Sequence, residues 1–157
     1  MMIEVRLKAM GLNLPQVAAP KGSYVPFLVS RGHCFVSGQL PPTGSPDSPS
    51  PYCGTVGVDV SIETAQVAAR QCALMILAQL GAALEGDFER VARIVRLGGF
   101  VRAVPEFTAH PQVVNGASNL MIELFGDAGR HTRAAVGVSS LPLGVCVEID
   151  AIVELKT

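Results

Sequence analysis

Arg133-Ala134-Ala135-Val136-Gly137-Val138 is followed by Leu141-Pro142-Leu143-Gly144 and then by Val147-Glu148-Ile149-Asp150-Ala151-Ile152. The two outer runs are dense in β-branched and small residues, and Pro and Gly punctuate the segment between them. The pattern predicts two strands, 132–139 and 145–155, joined by the Leu141-Pro142 turn. On that reading Arg133 and Glu148 stand on adjacent strands, near one end of the ladder.

Upstream, a helix is expected over 110–125, with Pro111 in its first turn and Val114, Leu120, Met121, Leu124 and Phe125 on its apolar face. Gly126 and Gly129 end it. Before it, Arg90, Arg93 and Arg96 lie three apart as on a helix. Residues 94–101, however, are β-branched and aromatic and carry Gly98-Gly99, so a strand is expected there. The three arginines read as a solvated face, or as partners of Asp87 and Glu89. A long helix is expected from Ile62 to about Leu84, with Ser61 as its N-cap and Ala65, Ala68, Cys72, Met75 and Ile76 on one face; Gln79 is placed off that face.

Residues 24–30 and 34–40 read as a hairpin around Arg31-Gly32-His33, and 55–60 as a short third strand. Residues 43–54, with three prolines and three serines, read as an exposed loop. Ile3, Leu7 and Met10 sit at i, i+4 and i+7 ahead of Gly11, which predicts a short helix over 2–10. A Pro- and Ala-rich connector runs on to Pro20. With no repeat in 157 residues, a single α+β domain is expected.

Apolar residues make up 49% and charged residues 16% of the chain, which places it far from disorder. A net charge of −1 and a pI near 6.3 argue against nucleic acid as the main partner, since phosphate binding needs a basic face. No apolar run approaches the ~18 residues of a membrane span, and no export signal is read at the N-terminus, so a cytoplasmic protein is expected. Cys34, Cys53, Cys72 and Cys146 lack a Cys-x-x-Cys spacing and read as free thiols. His33, His110 and His131 have no ligand spacing, so neither a metal nor another cofactor is expected. The high apolar fraction fits surface hidden by oligomerisation.

Three blocks carry a resemblance to a known family. Ser37-Gly38-Gln39-Leu40-Pro41 looks like the Ser-Gly-Gln-hydrophobic-Pro segment of the RidA/YjgF family. Val114-Asn115 matches its Val-Asn pair, and the segment from Arg133 to Ile152 matches its C-terminal signature. The likeness covers roughly 24 to the C-terminus, and the rest of the chain fits a longer subgroup. It implies a chorismate-mutase-like subunit, a mixed sheet with two helices on one face, assembled as a homotrimer with anion-binding sites at the subunit interfaces.

The resemblance further implies hydrolysis of reactive 2-imino and enamine carboxylic acids, of the 2-aminoacrylate type, to 2-keto acids and ammonium. Arg133 matches the arginine that binds the substrate carboxylate, and Glu148 the carboxylate that positions water. Tyr24, Ser37 and Asn115 match polar residues lining the pocket. Two departures stand out. Ala135 replaces a common cysteine, and the family's Pro-Ala-Arg is here His131-Thr132-Arg133. The family's endoribonuclease label finds no basic, aromatic-studded surface here.

The chemistry is coherent from the residues alone. Imine hydrolysis needs a held substrate, a positioned water and a proton acceptor. A guanidinium grips a carboxylate as a charged planar fork, and a glutamate orients and deprotonates water. Without the signature, Arg133 reads equally as a surface ion-pair partner, Glu148 as a solvent-facing strand residue, Asn115 as a cap, Ser37 as a turn former and His131 as a structural histidine. Two further functions stand beside the deaminase. One is a non-catalytic trimer that binds small carboxylates or acts as a regulator or chaperone; the other is a pathway-specific aminomuconate-type deaminase.

Overall fold

A computed structural model describes residues 2–17, 19–20 and 22–156. Three helices, α1 (Met2–Ala9), α2 (Ile62–Ala83) and α3 (His110–Phe125), accompany seven strands. The strands are β1 (Phe27–Ser30), β2 (His33–Gln39), β3 (Gly44–Ser45), β4 (Ser48–Pro49), β5 (Val91–Arg102), β6 (Thr132–Val138) and β7 (Val147–Leu155). Five of them form one mixed sheet in the order β1-β2-β7-β5-β6. The fold is α+β and chorismate-mutase-like, with α2 and α3 packed together on one face of the sheet.

Local chemistry explains most element ends. Ser61 caps α2 by accepting from the Thr64 N–H. Arg31 and Gly32 both take positive φ, at 46° and 73°, the turn that matches strand twist in a two-residue hairpin. Gly11, at φ 67°, closes α1 as expected. In β7, Val147, Ile149, Ala151, Val153 and Leu155 are buried under the helices, while the residues between them are half-buried on the other face. Val114 of α3 packs so closely over Gly99 that an added Cβ would come within 2.6 Å of it.

Several expectations are corrected. β6 and β7 are not neighbours, because β5 lies between them, parallel to β6 and antiparallel to β7. The Leu141-Pro142 connection therefore passes over the end of β5 and spans two strand spacings, about 9–10 Å. It is fastened there: Arg102 Nη1 and the Gly54 N–H both donate to the Gly144 carbonyl, at 3.1 and 2.9 Å.

Residues 55–60 form a turn around the Thr55 carbonyl, with isolated bridges at Val56 and Val60 in place of a strand. The 43–54 loop contains the small β3–β4 hairpin. Gln79 is buried, and no partner meets its Oε1. Met75 and Phe125 are only half-buried. Among the described residues the ion pairs are Arg70–Glu123 and Arg130–Asp127, so neither Asp87 nor Glu89 pairs with the 90/93/96 arginines. No described helix is long and apolar enough to cross a membrane.

Candidate active site

Register decides where each candidate side chain stands. Glu148 pairs with Phe100, which pairs with Val136, and Asp150 pairs with Gly98, which pairs with Ala134. These side chains share the sheet face that α2 and α3 leave uncovered. Arg133 instead pairs with Leu97, and Leu97 with Ala151, both buried beneath the helices. Arg133 and Glu148 of one chain therefore point to opposite faces of the sheet, contrary to the adjacent-strand expectation.

The Glu148 half is a cleft of about 1390 Å³, and Tyr24, Ser37, Gly38, Arg96 and Asp150 line it with Glu148. The strand register slips between Val36 and Gln39, so Ser37-Gly38 bulges where the glutamate lies. A Cβ on Gly38 would fall 2.0 Å from Glu148 Oε1, and one on Gly98 would fall 2.4 Å from Asp150 Oδ1. Both carboxylates thus rest on bare backbone. The Gly98 N–H donates to Asp150 Oδ1 at 3.0 Å, and Ser37 Oγ donates to the Val25 carbonyl at 2.8 Å. Ser37 stands inside a strand and forms no turn, and Tyr24 is 53% exposed at the cleft rim.

Burial raises the Glu148 pKa above its ordinary value, and the negative charge of Asp150 adds to that. Burial likewise raises Asp150, against the Gly98 N–H bond and the charge of Arg96. Of this set, the sequence reading missed Arg96 and Asp150. The signal for Asp150 was its place two residues beyond Glu148 on an alternating strand, which puts both acids on one face.

The Arg133 half lies at the exposed β6 edge of the sheet, against α3. Arg133 Nη1 donates to Ser118 Oγ at 3.0 Å, and Nη2 donates to the Pro111 carbonyl at 3.1 Å. Asn115 falls between those contacts, at i+4 from Pro111, so it shares their face of the helix. It sits six residues into α3 and caps nothing. A guanidinium carries five N–H donors; these two bonds leave three for a ligand. Burial lowers the Arg133 pKa from its ordinary value, yet a guanidinium remains charged in the working range. The structure thus collects the predicted residues into two groups, Tyr24/Ser37/Glu148 and Asn115/Arg133, and does not join the groups within one chain.

The chain is 44% identical over 155 residues to Protein TCP17 of Trypanosoma cruzi, covering 98% of this chain and 94% of that protein. The crystal structure of Atu1372 from Agrobacterium tumefaciens, a protein of unknown function, is 49% identical. It superposes with a TM-score of 0.88 over 99% of this chain and 93% of that one. The YjgF gene product of E. coli, 24% identical, shares the fold with a TM-score of 0.59 over 88% of this chain and 93% of its own. The family model described as YjgF/chorismate mutase-like, under the endoribonuclease name, matches residues 4–155. With all but the ends of the chain inside that match, the protein belongs to the YjgF/chorismate mutase-like family.

Proposed function

We propose that this protein is a hydrolytic deaminase of reactive 2-imino and enamine carboxylic acids, acting at sites shared between the subunits of a homotrimer. The observation that carries the reading is the pair of incomplete half-sites. Arg133 keeps unused donors at an open sheet edge, while Glu148 lies half-buried in a cleft on the uncovered face. A second copy that set its β6 edge against that cleft would bring a carboxylate anchor to a water-activating carboxylate. The uncovered face supports such an assembly, because Leu28, Phe35 and Val136 stand 43–57% exposed on it with no helix above them.

In this reading the Arg133 guanidinium holds the substrate carboxylate through a charge-assisted fork. Glu148 accepts a proton from a water as its oxygen bonds to the imine carbon. The proton passes from Glu148 to the nitrogen of the carbinolamine formed from the protonated imine. Glu148 then takes the hydroxyl proton as the C–N bond breaks, and the 2-keto acid leaves with ammonia, which carries that proton away as ammonium. A Glu148 pKa raised by burial makes the group a stronger base than an ordinary carboxylate.

The test is keto-acid release from freshly generated 2-iminobutyrate and 2-aminoacrylate, compared with imines that lack a carboxylate. Arg133→Ala should slow the carboxylate substrates ~10- to 100-fold or more. Arg133→Lys should recover part of the rate, since an ammonium keeps the charge without the fork. Wild-type protein that binds these acids but releases keto acid no faster than buffer would make it a carboxylate-binding module. A folded, assembled Arg133→Ala variant with the wild-type rate would end the deaminase reading.

A further inference from the structure

Behind Arg133 lies a chain of hydrogen bonds with one consistent direction. His131 Nδ1 lies 2.6 Å from the Gly129 carbonyl, and a carbonyl can only accept, so Nδ1 carries the proton. In the neutral ring Nε2 is then the acceptor, and Ser118 Oγ stands 2.9 Å from it. The serine hydroxyl donates to Nε2 and turns its lone pairs toward Arg133 Nη1, which donates to Oγ at 3.0 Å. Each donor in the series, guanidinium to hydroxyl to imidazole to backbone carbonyl, has one acceptor. Ser118 is 8% exposed, so water competes poorly for its hydroxyl.

We infer that Ser118 and His131 form a relay that sets the Arg133 guanidinium for an incoming carboxylate, and that only neutral His131 holds it. The inference rests on the carboxylate-anchor role proposed for Arg133. Ser118 and His131 are positioning residues, acting through the arginine. His131 occupies the place where the family resemblance has proline, so the relay belongs to this chain's own variation.

The physics of protonation follows from what faces the ring. A second proton, on Nε2, would remove the acceptor from the serine hydroxyl and reverse that bond. The surroundings offer an imidazolium little compensation. Arg133 faces it from β6, and Arg93 of β5 and Arg130 share a shallow groove with it. The nearby carboxylate, Asp127, is held by Arg130 at 3.3 Å on a side chain that is 98% exposed. The ionisable residues of α3 are His110, set against Phe107 and Gly137, and Glu123, tied to Arg70 of α2 at 2.8 Å. From α1, Arg6 ends on the Leu124 carbonyl. Burial first, and the charge of Arg133 after it, lower the His131 pKa, while the bond to Gly129 opposes them. The relay is therefore intact at neutral pH and is lost as pH falls through that lowered value.

Calorimetric binding of 2-oxobutyrate, a stable carboxylate, tests this alongside KM and kcat for 2-iminobutyrate. Ser118→Ala and His131→Leu should weaken binding and raise KM about 5- to 20-fold, with kcat within about 3-fold of wild type. His131→Gln keeps an acceptor for Ser118 and does not titrate, so it should bind within about 3-fold of wild type. As pH falls from neutral through the lowered His131 pKa, below the ordinary histidine value, wild-type binding should weaken more than that of His131→Gln; comparing the two cancels the titration of Glu148. If Arg133→Ala abolishes binding while Ser118→Ala and His131→Leu bind normally, the relay is wrong and the anchor stands. If Arg133→Ala binds normally, the anchor role falls first. Should His131→Leu fail to assemble, identical acid limbs in wild type and His131→Gln would overturn the relay.

Discussion

The two halves of the candidate site differ in how they are built. Glu148 and Asp150 lie over glycines on the uncovered face, inside a cleft that burial has made poor at hydrating charge. Arg133 lies on the helix side of the sheet, at an edge strand, with its fork partly committed to α3. One half is a pair of half-buried carboxylates and the other a cation with unused donors at an open edge. The contrast teaches that two strand spacings and the sheet itself separate Arg133 from Glu148 within a chain, so in the proposed mechanism their cooperation requires a second copy. That requirement can be broken experimentally.

The largest effect should come from dividing the two roles between chains. Arg133→Ala should lose about 10- to 100-fold or more, and Glu148→Gln about 100-fold or more, of the turnover of 2-iminobutyrate. Co-assembled in equal amounts, the two inactive chains should regain about 25% of the wild-type rate, because random assortment around a closed ring leaves one interface in four with both intact groups. Light scattering should give three times the 16.4 kDa chain mass. No regain on mixing, or a monomer at micromolar concentration, would break the shared-site account.

A smaller effect should follow from disturbing only the Glu148 half. Gly38→Ala places a methyl group where Glu148 Oε1 now lies, 2.0 Å from the built Cβ. The carboxylate has to turn away, so kcat should fall about 10- to 30-fold while KM stays within about 3-fold. An equal rise in KM would mean that the two halves are less separate than the register indicates.

Much of this architecture was legible in the sequence, and the part that was not has a definite cause. The hairpin at Arg31-Gly32 and the Ser61 cap are local chemistry, and local chemistry is written in adjacent residues. The partner of β6 is not. Leu141-Pro142-Leu143-Gly144 reads as a turn whether the next strand pairs directly or crosses a neighbour first. What decides is β5, whose two edges take β6 and β7. That missed crossover moved Arg133 from beside Glu148 to the opposite face. Gln79 was misplaced for a related reason, since helix periodicity does not reveal how many neighbours will cover a helix. The site residues themselves came from the family signature and Asp150 was readable from strand alternation, whereas Arg96 and Ser118 emerged only from three-dimensional neighbourhood.

A finer effect concerns the charge beside the base. In the proposed mechanism Glu148 works deprotonated, so kcat should fall as pH drops through its raised pKa, at a higher pH than for an ordinary glutamate. Asp150→Asn removes the second cause of that rise but leaves the first, burial. The acid limb of kcat should therefore move to lower pH without reaching the ordinary glutamate position. A limb that stays fixed would show that Asp150 is neutral in the assembled protein or that Glu148 is not the titrating base.

The smallest expected effect is no effect, and it separates this site from thiol chemistry. Ala135, in β6 two residues beyond Arg133, stands where many members of the family have cysteine, so the anchor half offers no sulfur. Cys34, Cys72 and Cys146 are buried, and burial pushes Cys146 up to about 11 and Cys72 well above the ordinary thiol range. Such thiols hold almost no thiolate at neutral pH and react slowly with alkylating agents. Cys53 is partly exposed, but its Sγ points to the Leu143 carbonyl at 3.8 Å, in the connection that crosses β5. Iodoacetamide at neutral pH should therefore modify Cys53 first, and the turnover of 2-iminobutyrate should remain within about 2-fold of its starting value. Mass spectrometry of the modified protein identifies the site, and the same sample supplies the rate. A loss of activity that tracks Cys53 labelling, with the assembly intact, would place the β6–β7 connection in the catalytic apparatus and blur the division between the two halves.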